Sequence, residues 1–144
     1  MSPVITESAP TGPSPPLMLS SRLIYELGDP TSTLRATTDR RGPAIVISAG
    51  GEIDACNEHT WRHLLAEAAS VVATPGPLVV DVTSIDFMGC CAYTVLAEQS
   101  QRCRDRGIEV RLVAHQPIVT RIVDACGLFR ALPIYPTVDS ALAL

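Results

Sequence analysis

The sequence predicts an α/β fold in which helices pack on a mixed β-sheet. Two strand-like segments come first, joined by a short turn, so they are expected to pair antiparallel. Helix-like and strand-like segments then alternate to the end of the chain, which is typical of parallel strands joined by crossover helices. The chain has 144 residues, of which 47% are apolar and 18% charged. That composition suits one domain with a hydrophobic core.

The first 21 residues are predicted to be a disordered tail, and residues 22–144 to form the folded domain. The tail contains five of the twelve prolines, with Ser, Thr and Gly between them. Such a composition buries too little apolar surface to become ordered.

The first half of the domain is predicted to contain two strands, a helix and a third strand. The strands fall at residues 33–39 and 44–51, with a turn at 40–43 between them. Asp54 is a good N-cap for a helix from Ala55 to about Val72. The run LVVDV at residues 78–82 is mostly apolar, which is typical of a strand that other elements of the fold cover.

The second half is predicted to contain three more helices and two more strands. The helix from Ala92 to Arg106 should stop at Gly107, and the helix from Pro117 to Cys126 at Gly127, because glycine favours the position after a helix. The segments IEVRLVA and ALPIY are predicted strands, and TVDSALAL a final helix.

Helical phase divides the cysteines into different environments. Cys103 and Cys126 fall on the apolar stripes of their helices and are predicted to be buried. Cys56 shares a polar face with His59 and His63, at an i, i+3, i+7 spacing that would let all three face one ion. Such polar faces are common by chance and supply only three ligands, so no metal site is predicted.

Three blocks of the sequence carry a more specific signal. They are GEIDACNEHTW (51–61), VVDVTSIDFMGCCAYTVL (79–96) and PIVTRIVDACGLFRALPIYPTVDSAL (117–142). Together they resemble the signature segments of STAS domains, above all those of bacterial anti-sigma factor antagonists. The resemblance implies a single STAS domain, with a mixed sheet of four or five strands and helices mainly on one face. It also implies a protein that binds a kinase-like anti-sigma factor, an ATPase, and thereby releases a sigma factor.

The second block contains the switch of that family. The family pattern is Phe-Met-Asp-Ser-Ser-Gly-Leu, and the partner phosphorylates its first serine to end binding. This chain reads FMGCCAY from residue 87 to residue 93. Cys90 therefore stands at the position of the phosphorylated serine, Cys91 at the second serine and Gly89 at the aspartate. A thiol is not a normal substrate of a Ser/Thr kinase, so the usual modification is not expected here.

The same comparison implies a partner-binding surface around this joint. Its residues would be Asp54, Phe87, Met88, Gly89, Cys90 and Cys91. The joint also begins a helix, whose free N–H groups stabilise a thiolate, so one of the two adjacent cysteines is predicted to have a lowered thiol pKa.

Three functions stay open on these grounds. The first is an anti-sigma factor antagonist. The second is a thiol-based redox sensor that uses Cys90, Cys91 and Cys126. The third is a STAS interaction module with no link to a sigma factor.

Other classes of function are disfavoured. The net charge is −4 and no basic cluster is present, so nucleic acid is not an expected partner. No apolar run approaches the ~20 residues of a membrane span and no secretory signal is visible, so a cytoplasmic protein without membrane contact is expected. No catalytic arrangement or cofactor motif is apparent, so the chain is not predicted to be an enzyme. The odd number of cysteines leaves a thiol that would allow a covalent homodimer.

Overall fold

The computed structural model describes residues 20–28 and 32–143. Most of the predicted tail, residues 1–19, lies outside the described residues. The elements, in chain order, are α1 (Ser21–Gly28), β1 (Leu34–Arg41), β2 (Ala44–Ile53), α2 (Glu58–Ser70), β3 (Pro77–Met88), α3 (Cys90–Asp105), β4 (Glu109–Val113), α4 (Pro117–Ala125), β5 (Ile134–Tyr135) and α5 (Val138–Leu142). Helix α1 was not anticipated from the sequence. Within the described ranges, no helix combines the length and the apolar character that crossing a membrane would require.

The five strands form one sheet in the order β1-β2-β3-β4-β5. Strands β1 and β2 pair antiparallel through the predicted turn, and each later strand joins its neighbour in parallel. The predicted mixed sheet is therefore confirmed. Since β2, β3 and β4 run in the same direction, their carboxyl ends lie along one edge, and that edge carries the joint at Gly89.

Alternation along the strands divides the core between the two faces of the sheet. On one face Ile45 and Ile47 join a large apolar cluster that also includes buried side chains of helices α1 to α4. On the other face Val46 and Val79 pack in a small cluster with Ala141 of α5. This matches the period of two that a strand imposes on its side chains. Helices mainly on one face of the sheet were expected, and the structure confirms it.

A buried arginine helps to hold α5 against the sheet. Arg111 of β4 is only 5% exposed. Its guanidinium donates to the backbone carbonyl of Ala141 at 2.6 Å and to the carboxylate of Glu109 at 2.7 Å. A carbonyl near the end of α5 thus gains a charged donor, which offsets part of the desolvation of the arginine.

Helix α2 begins one turn later than predicted, and the assignment of Asp54 as its N-cap is wrong. The helix begins at Glu58, and Asn57 occupies the N-cap position. Asp54 instead closes the preceding turn, because its carboxylate accepts from the backbone N–H of Cys56 at 2.9 Å. The Asn57 side chain accepts from the N–H of Asp54 and donates to the carbonyl of Glu52, both at 2.9 Å. These contacts tie the turn to the end of β2.

Strand β2 contains two adjacent glycines, Gly50 and Gly51, and only Gly51 stands where another residue would not fit. Gly51 has φ of +91°, and a Cβ atom there would lie 1.9 Å from the carbonyl oxygen of Thr33. That carbonyl accepts from the N–H of Glu52 at 3.0 Å, so the close approach belongs to a real hydrogen bond. A Cβ on Gly50 would make only ordinary contacts of 3.5 Å or more.

This contrast yields a matched pair of stability predictions. We expect Gly51→Ala to lower the free energy of unfolding by about 3 kcal/mol, because it adds both backbone strain and a clash with the main chain. We expect Gly50→Ala to change it by less than about 1 kcal/mol. Urea unfolding of the two variants beside the wild type measures both effects, and equal losses would contradict the assignment of the strain to Gly51.

Candidate functional site

The joint between β3 and α3 lies beside the end of β2. Ile53 of β2 pairs with Met88 of β3, and the N–H of Gly89 donates to the carbonyl of Ile53 at 2.8 Å. A Cβ atom built on Gly89 would lie 3.8 Å from the Cα atom of Asp54. Residues 87–91, hereafter the switch loop, are therefore held against the turn that follows β2. The expected closeness of Asp54 to this loop follows from parallel pairing.

A tryptophan of α2 holds the first turn of α3 in place through a hydrogen bond. Gly89 is the N-cap and, as glycine, offers no side chain to cap the helix. The fully buried Trp61 of α2 donates from its indole Nε1 to the carbonyl of Ala92 at 3.2 Å. The start of α3 thus has a set position although its N-cap lacks a capping group.

The predicted partner-binding residues differ in how far they reach solvent. Phe87 is 54% exposed and Cys90 is also exposed, whereas Met88 is only 8% exposed and belongs to the core. Asp54, Gly89 and Cys91 are half-buried. The prediction that the Met88 side chain faces a partner needs correction, because alternation along β3 points Phe87 outward and Met88 inward. A charge at Met88 would therefore disturb folding.

The two adjacent thiols lie in different environments. Burial raises the pKa of the Cys91 thiol, and the negative charge of Glu58 raises it further. The N–H groups of Ala92 and Cys91 act in the opposite direction, as expected at a helix start, but they are outweighed. The predicted lowering of a thiol pKa therefore does not hold for Cys91, and Cys90 is the exposed thiol of the pair.

A groove lies beside the switch loop because β3 extends beyond the end of β4. Strand β4 pairs only with residues 77–81 of β3, whose remaining residues to Met88 have β2 as their strand partner. Gln116, the N-cap of α4, reaches into this gap. Its side-chain amide donates to the carbonyls of Val82 and Ile85, both at 2.9 Å. A side chain thus satisfies two carbonyls that β4 would otherwise have bonded.

The groove consists of two adjoining cavities between α3 and α4, and we refer to it as the α3–α4 groove. One cavity of about 330 Å³ runs from the switch loop to the start of α4. The other, of about 260 Å³, continues along the two helices to Leu128. Cys90, Tyr93 and Ile122 line both. The exposed side chains of Phe87 and Ile118 border the first cavity, so an apolar surface continues from the switch loop into the groove.

The two cysteines predicted to be buried have different outcomes. Cys103 is buried, as predicted, and its burial raises the pKa of its thiol. Cys126 is exposed, so that prediction is wrong. Helix α4 ends at Ala125, and Cys126 is its C-cap, followed by Gly127 with φ of +69°. Helical phase therefore does not apply to Cys126, which instead lines the same cavity as Cys90.

Tyr93 is a site residue that sequence reasoning missed. It is 3% exposed and lines both cavities of the α3–α4 groove. Within the described part of the chain, its hydroxyl has no hydrogen-bond partner. Burial raises the pKa of Tyr93, and the nearby thiols of Cys90 and Cys126 raise it less. The available signal was the switch pattern itself, since Tyr93 stands where the family pattern has leucine.

The histidines of α2 contact a neighbouring helix. His59 and His63 lie 3.9 and 4.0 Å from the two carboxylate oxygens of Glu26 in α1. Cys56 precedes α2, so the helical spacing that grouped it with these histidines does not apply. Among the described residues no group of three or more His, Cys, Asp or Glu side chains is arranged to hold a metal ion.

Comparison with known proteins gives one consistent result. A family model described as "STAS domain" matches residues 35–141. The putative anti-anti-sigma factor Rv2638 of Mycobacterium tuberculosis is 63% identical over 139 residues, which cover 96% of this chain and 92% of that relative. The anti-sigma-F factor antagonist RsfA of the same species is 50% identical over 113 residues, which cover 78% of this chain and 88% of RsfA.

A solved structure supports the same result. The crystal structure of an anti-sigma factor antagonist from Mycobacterium paratuberculosis superposes with a TM-score of 0.68 at 26% identity. The match covers 81% of this chain and 96% of that one.

Gln116 allows a direct stability test of the gap beside β3. We expect Gln116→Glu to lower the free energy of unfolding by about 3 kcal/mol at neutral pH, because a carboxylate would face two carbonyl oxygens. The loss should shrink as the pH falls, since the protonated carboxyl can donate again. The control is Gln101→Glu on the exposed surface of α3, where the amide donates to the carboxylate of Asp105 at 3.2 Å. An exposed pair of like charges at this spacing costs only about 0.5 kcal/mol or less. Equal, pH-independent losses in urea unfolding would contradict the role of the Gln116 amide.

Proposed function

The chain belongs to the STAS domain family, and from that premise we propose that it is an anti-sigma factor antagonist. It binds a kinase-like anti-sigma factor and so releases a sigma factor. The observation that carries the proposal is the switch loop, which is exposed at Phe87 and Cys90 and held beside Asp54. The names of the two relatives, an anti-anti-sigma factor and an anti-sigma-F factor antagonist, support the same function.

The proposed contact surface is apolar at its centre and acidic at its border. Phe87 supplies an exposed aromatic anchor of the kind that dominates binding energy at interfaces. Glu52 is the register partner of Phe87, and Asp86 precedes it; both are exposed. A partner that fits this surface presents an apolar pocket with basic residues around it, so its association rate falls as salt is added.

The chain acts by binding in this proposal, and its switch position is not controlled by phosphate. Cys90 offers a thiol where the family offers a hydroxyl, and Gly89 offers no carboxylate beside it. A Cβ at Gly89 would make only ordinary contacts of 3.5 Å or more, so the missing aspartate is not excluded by space. The partner therefore meets a switch loop that its kinase activity does not turn off.

A second candidate function is redox sensing, and one observation favours it. Cys90 is the first residue of α3 and Cys126 follows the end of α4, yet both line the same cavity, whereas the exposed Cys56 lies outside it. Oxidation by a peroxide would join two thiols as a disulfide and reduce the peroxide to water. A bond within the chain requires the two Cα atoms to approach within about 7 Å; otherwise Cys90 pairs with a second chain. Either product alters the switch loop.

We expect a negative charge at the switch position to weaken partner binding without weakening the fold. Cys90→Asp should reduce affinity for the cognate anti-sigma factor at least about tenfold, because it buries a charge at the apolar centre of the contact surface, at the position that carries phosphate in the family. Cys90→Ser should bind like the wild type. The matched control is Ala73→Asp, the same charge in the exposed loop before β3, at the opposite edge of the sheet.

Titration calorimetry against each kinase-like anti-sigma factor of the source organism measures these affinities, and urea unfolding checks each variant. Equal affinity of Cys90→Asp and wild type would remove the switch loop from the interface. If no anti-sigma factor binds the wild type, the result would favour the third hypothesis of the sequence analysis, a STAS interaction module with no link to a sigma factor.

The redox alternative makes a separate prediction about oxidised protein. Mild hydrogen peroxide should produce one disulfide that includes Cys90, reduce partner binding and be reversed by dithiothreitol. Cys90→Ser and Cys126→Ser identify the bonded thiols by non-reducing electrophoresis and peptide mass spectrometry, with Cys56→Ser as the control. Faster oxidation at Cys56 than at Cys90 would leave the redox alternative without support.

A further inference from the structure

Two side chains on one face of α3 line the α3–α4 groove. The thiol of Cys90 is a nucleophile, and the hydroxyl of Tyr93 is a hydrogen-bond donor. Cys90 and Tyr93 are three residues apart in α3, the spacing that places side chains side by side on a helix surface. Each of these two side chains lines both cavities of the groove. Cys90 is the first residue of α3, where the free N–H groups of the helix favour a negative charge.

The Tyr93 hydroxyl marks this groove as a binding site. A buried hydroxyl without a partner costs free energy that a hydrogen bond would recover, and no partner is found among the described residues. Apart from that hydroxyl and the thiols, the walls of the second cavity are mostly apolar, with Ala97, Ile122 and Leu128. The ligand that fits is mainly apolar and carries a hydrogen-bond acceptor that the Tyr93 hydroxyl can reach.

We propose that the α3–α4 groove is a covalent binding site for α,β-unsaturated carbonyl compounds of the size of a small quinone. The Tyr93 hydroxyl donates to the carbonyl oxygen, and the Cys90 thiolate adds to the carbon β to it. The apolar body of the ligand lies along Ile122 and Ala97. This site acts on the isolated chain and does not depend on the function proposed above.

The addition balances without an oxidant or a leaving group. The Cys90 thiol loses its proton to water, and its sulfur forms a bond to the β-carbon. The electron pair of the carbon–carbon double bond moves to give an enolate, whose oxygen holds the hydrogen bond from Tyr93. Water then returns a proton to that oxygen. In a quinone, the carbon bonded to sulfur next loses its hydrogen as a proton to water and the second carbonyl oxygen gains one, which leaves a hydroquinone thioether attached to Cys90.

The surroundings select this chemistry over other thiol reactions. A carbonyl ligand gains contacts with both the apolar walls of the groove and the Tyr93 hydroxyl. Cys91 does not line either cavity, and its raised pKa disfavours its thiolate. Cys126 lines only the second cavity. Of the five cysteines, only Cys90 lines both cavities.

An adduct at Cys90 would also act on the switch loop. It places a bulky group at the position that the family modifies with phosphate, next to the exposed Phe87. Loss of partner binding on adduct formation is the expected consequence, and that step alone rests on the proposed function.

The test uses the reduced, full-length chain and two probes. 1,4-Naphthoquinone carries the carbonyl that the groove should recognise, whereas iodoacetamide alkylates thiols without needing the groove. Intact-mass spectrometry gives the rate of each reaction, and peptide mapping locates the product. We expect one quinone adduct per chain, located at Cys90, and slower labelling of Cys56.

Variants separate recognition from simple thiol reactivity. Tyr93→Phe should slow the quinone reaction at least about tenfold, through loss of the donor to the developing oxyanion, and leave the iodoacetamide rate unchanged. Ala97→Phe, which narrows the groove but keeps both reacting groups, should do the same. Cys90→Ser should abolish the adduct, and Cys56→Ser should leave it intact.

Three results would overturn the proposal. One is adduct formation at Cys56 before Cys90, and another is an equal slowing of both probes in Tyr93→Phe. The third is a quinone rate in Ala97→Phe that matches the wild type. Urea unfolding of each variant excludes a folding defect as the cause, and none of these results depends on whether an anti-sigma factor binds.

Discussion

The unequal lengths of β3 and β4 constrain the rest of the structure around the site. Strand β3 has 12 residues and β4 only 5, so the last part of β3 is paired with β2 alone. Two carbonyls in that part depend on the amide of Gln116, and α4 begins above a gap instead of above a strand. The gap is the first cavity of the groove. Because the same long strand carries the chain up to the end of β2, it also delivers residues 87–91 beside Asp54.

Long-range contacts, more than local preference, set the shape of the switch loop. Gly89 provides no cap for α3, so the helix start depends on the indole of Trp61 and on the bond from Gly89 to Ile53. Both partners belong to the segment that also contains Gly51 and Asn57. That segment is one of the three blocks by which the sequence resembles STAS domains. Its residue types are therefore explained by one task, which is to hold β2, α2 and the switch loop together.

The sequence predicted the order of strands and helices after α1 and the position of the joint, because apolar runs and glycines mark them locally. It predicted Asp54 as the N-cap of α2 where the structure has Asn57, because the Asn57 side chain is held by the end of β2, through the N–H of Asp54 and the carbonyl of Glu52. Cys126 was misplaced because helical phase was extended one residue past the last turn. The roles of Gln116 and Tyr93 were missed because these roles exist only once β3, α3 and α4 are packed together.

Tyr93 also bears on how the replaced switch residues should be understood. If the cysteines of the switch loop were neutral drift on a constitutive binding surface, nothing would be gained by a hydroxyl buried beside them. Leucine, the residue of the family pattern, would bring no hydroxyl that needs a hydrogen-bond partner there. Relative to the family pattern that the chain resembles, the loop carries Cys90 and Gly89 in place of a serine and an aspartate, and Cys90, Cys126 and Tyr93 line the adjoining groove. The covalent site proposed above gives Cys90 and Tyr93 one shared role, whereas neutral drift provides no reason for the Tyr93 hydroxyl.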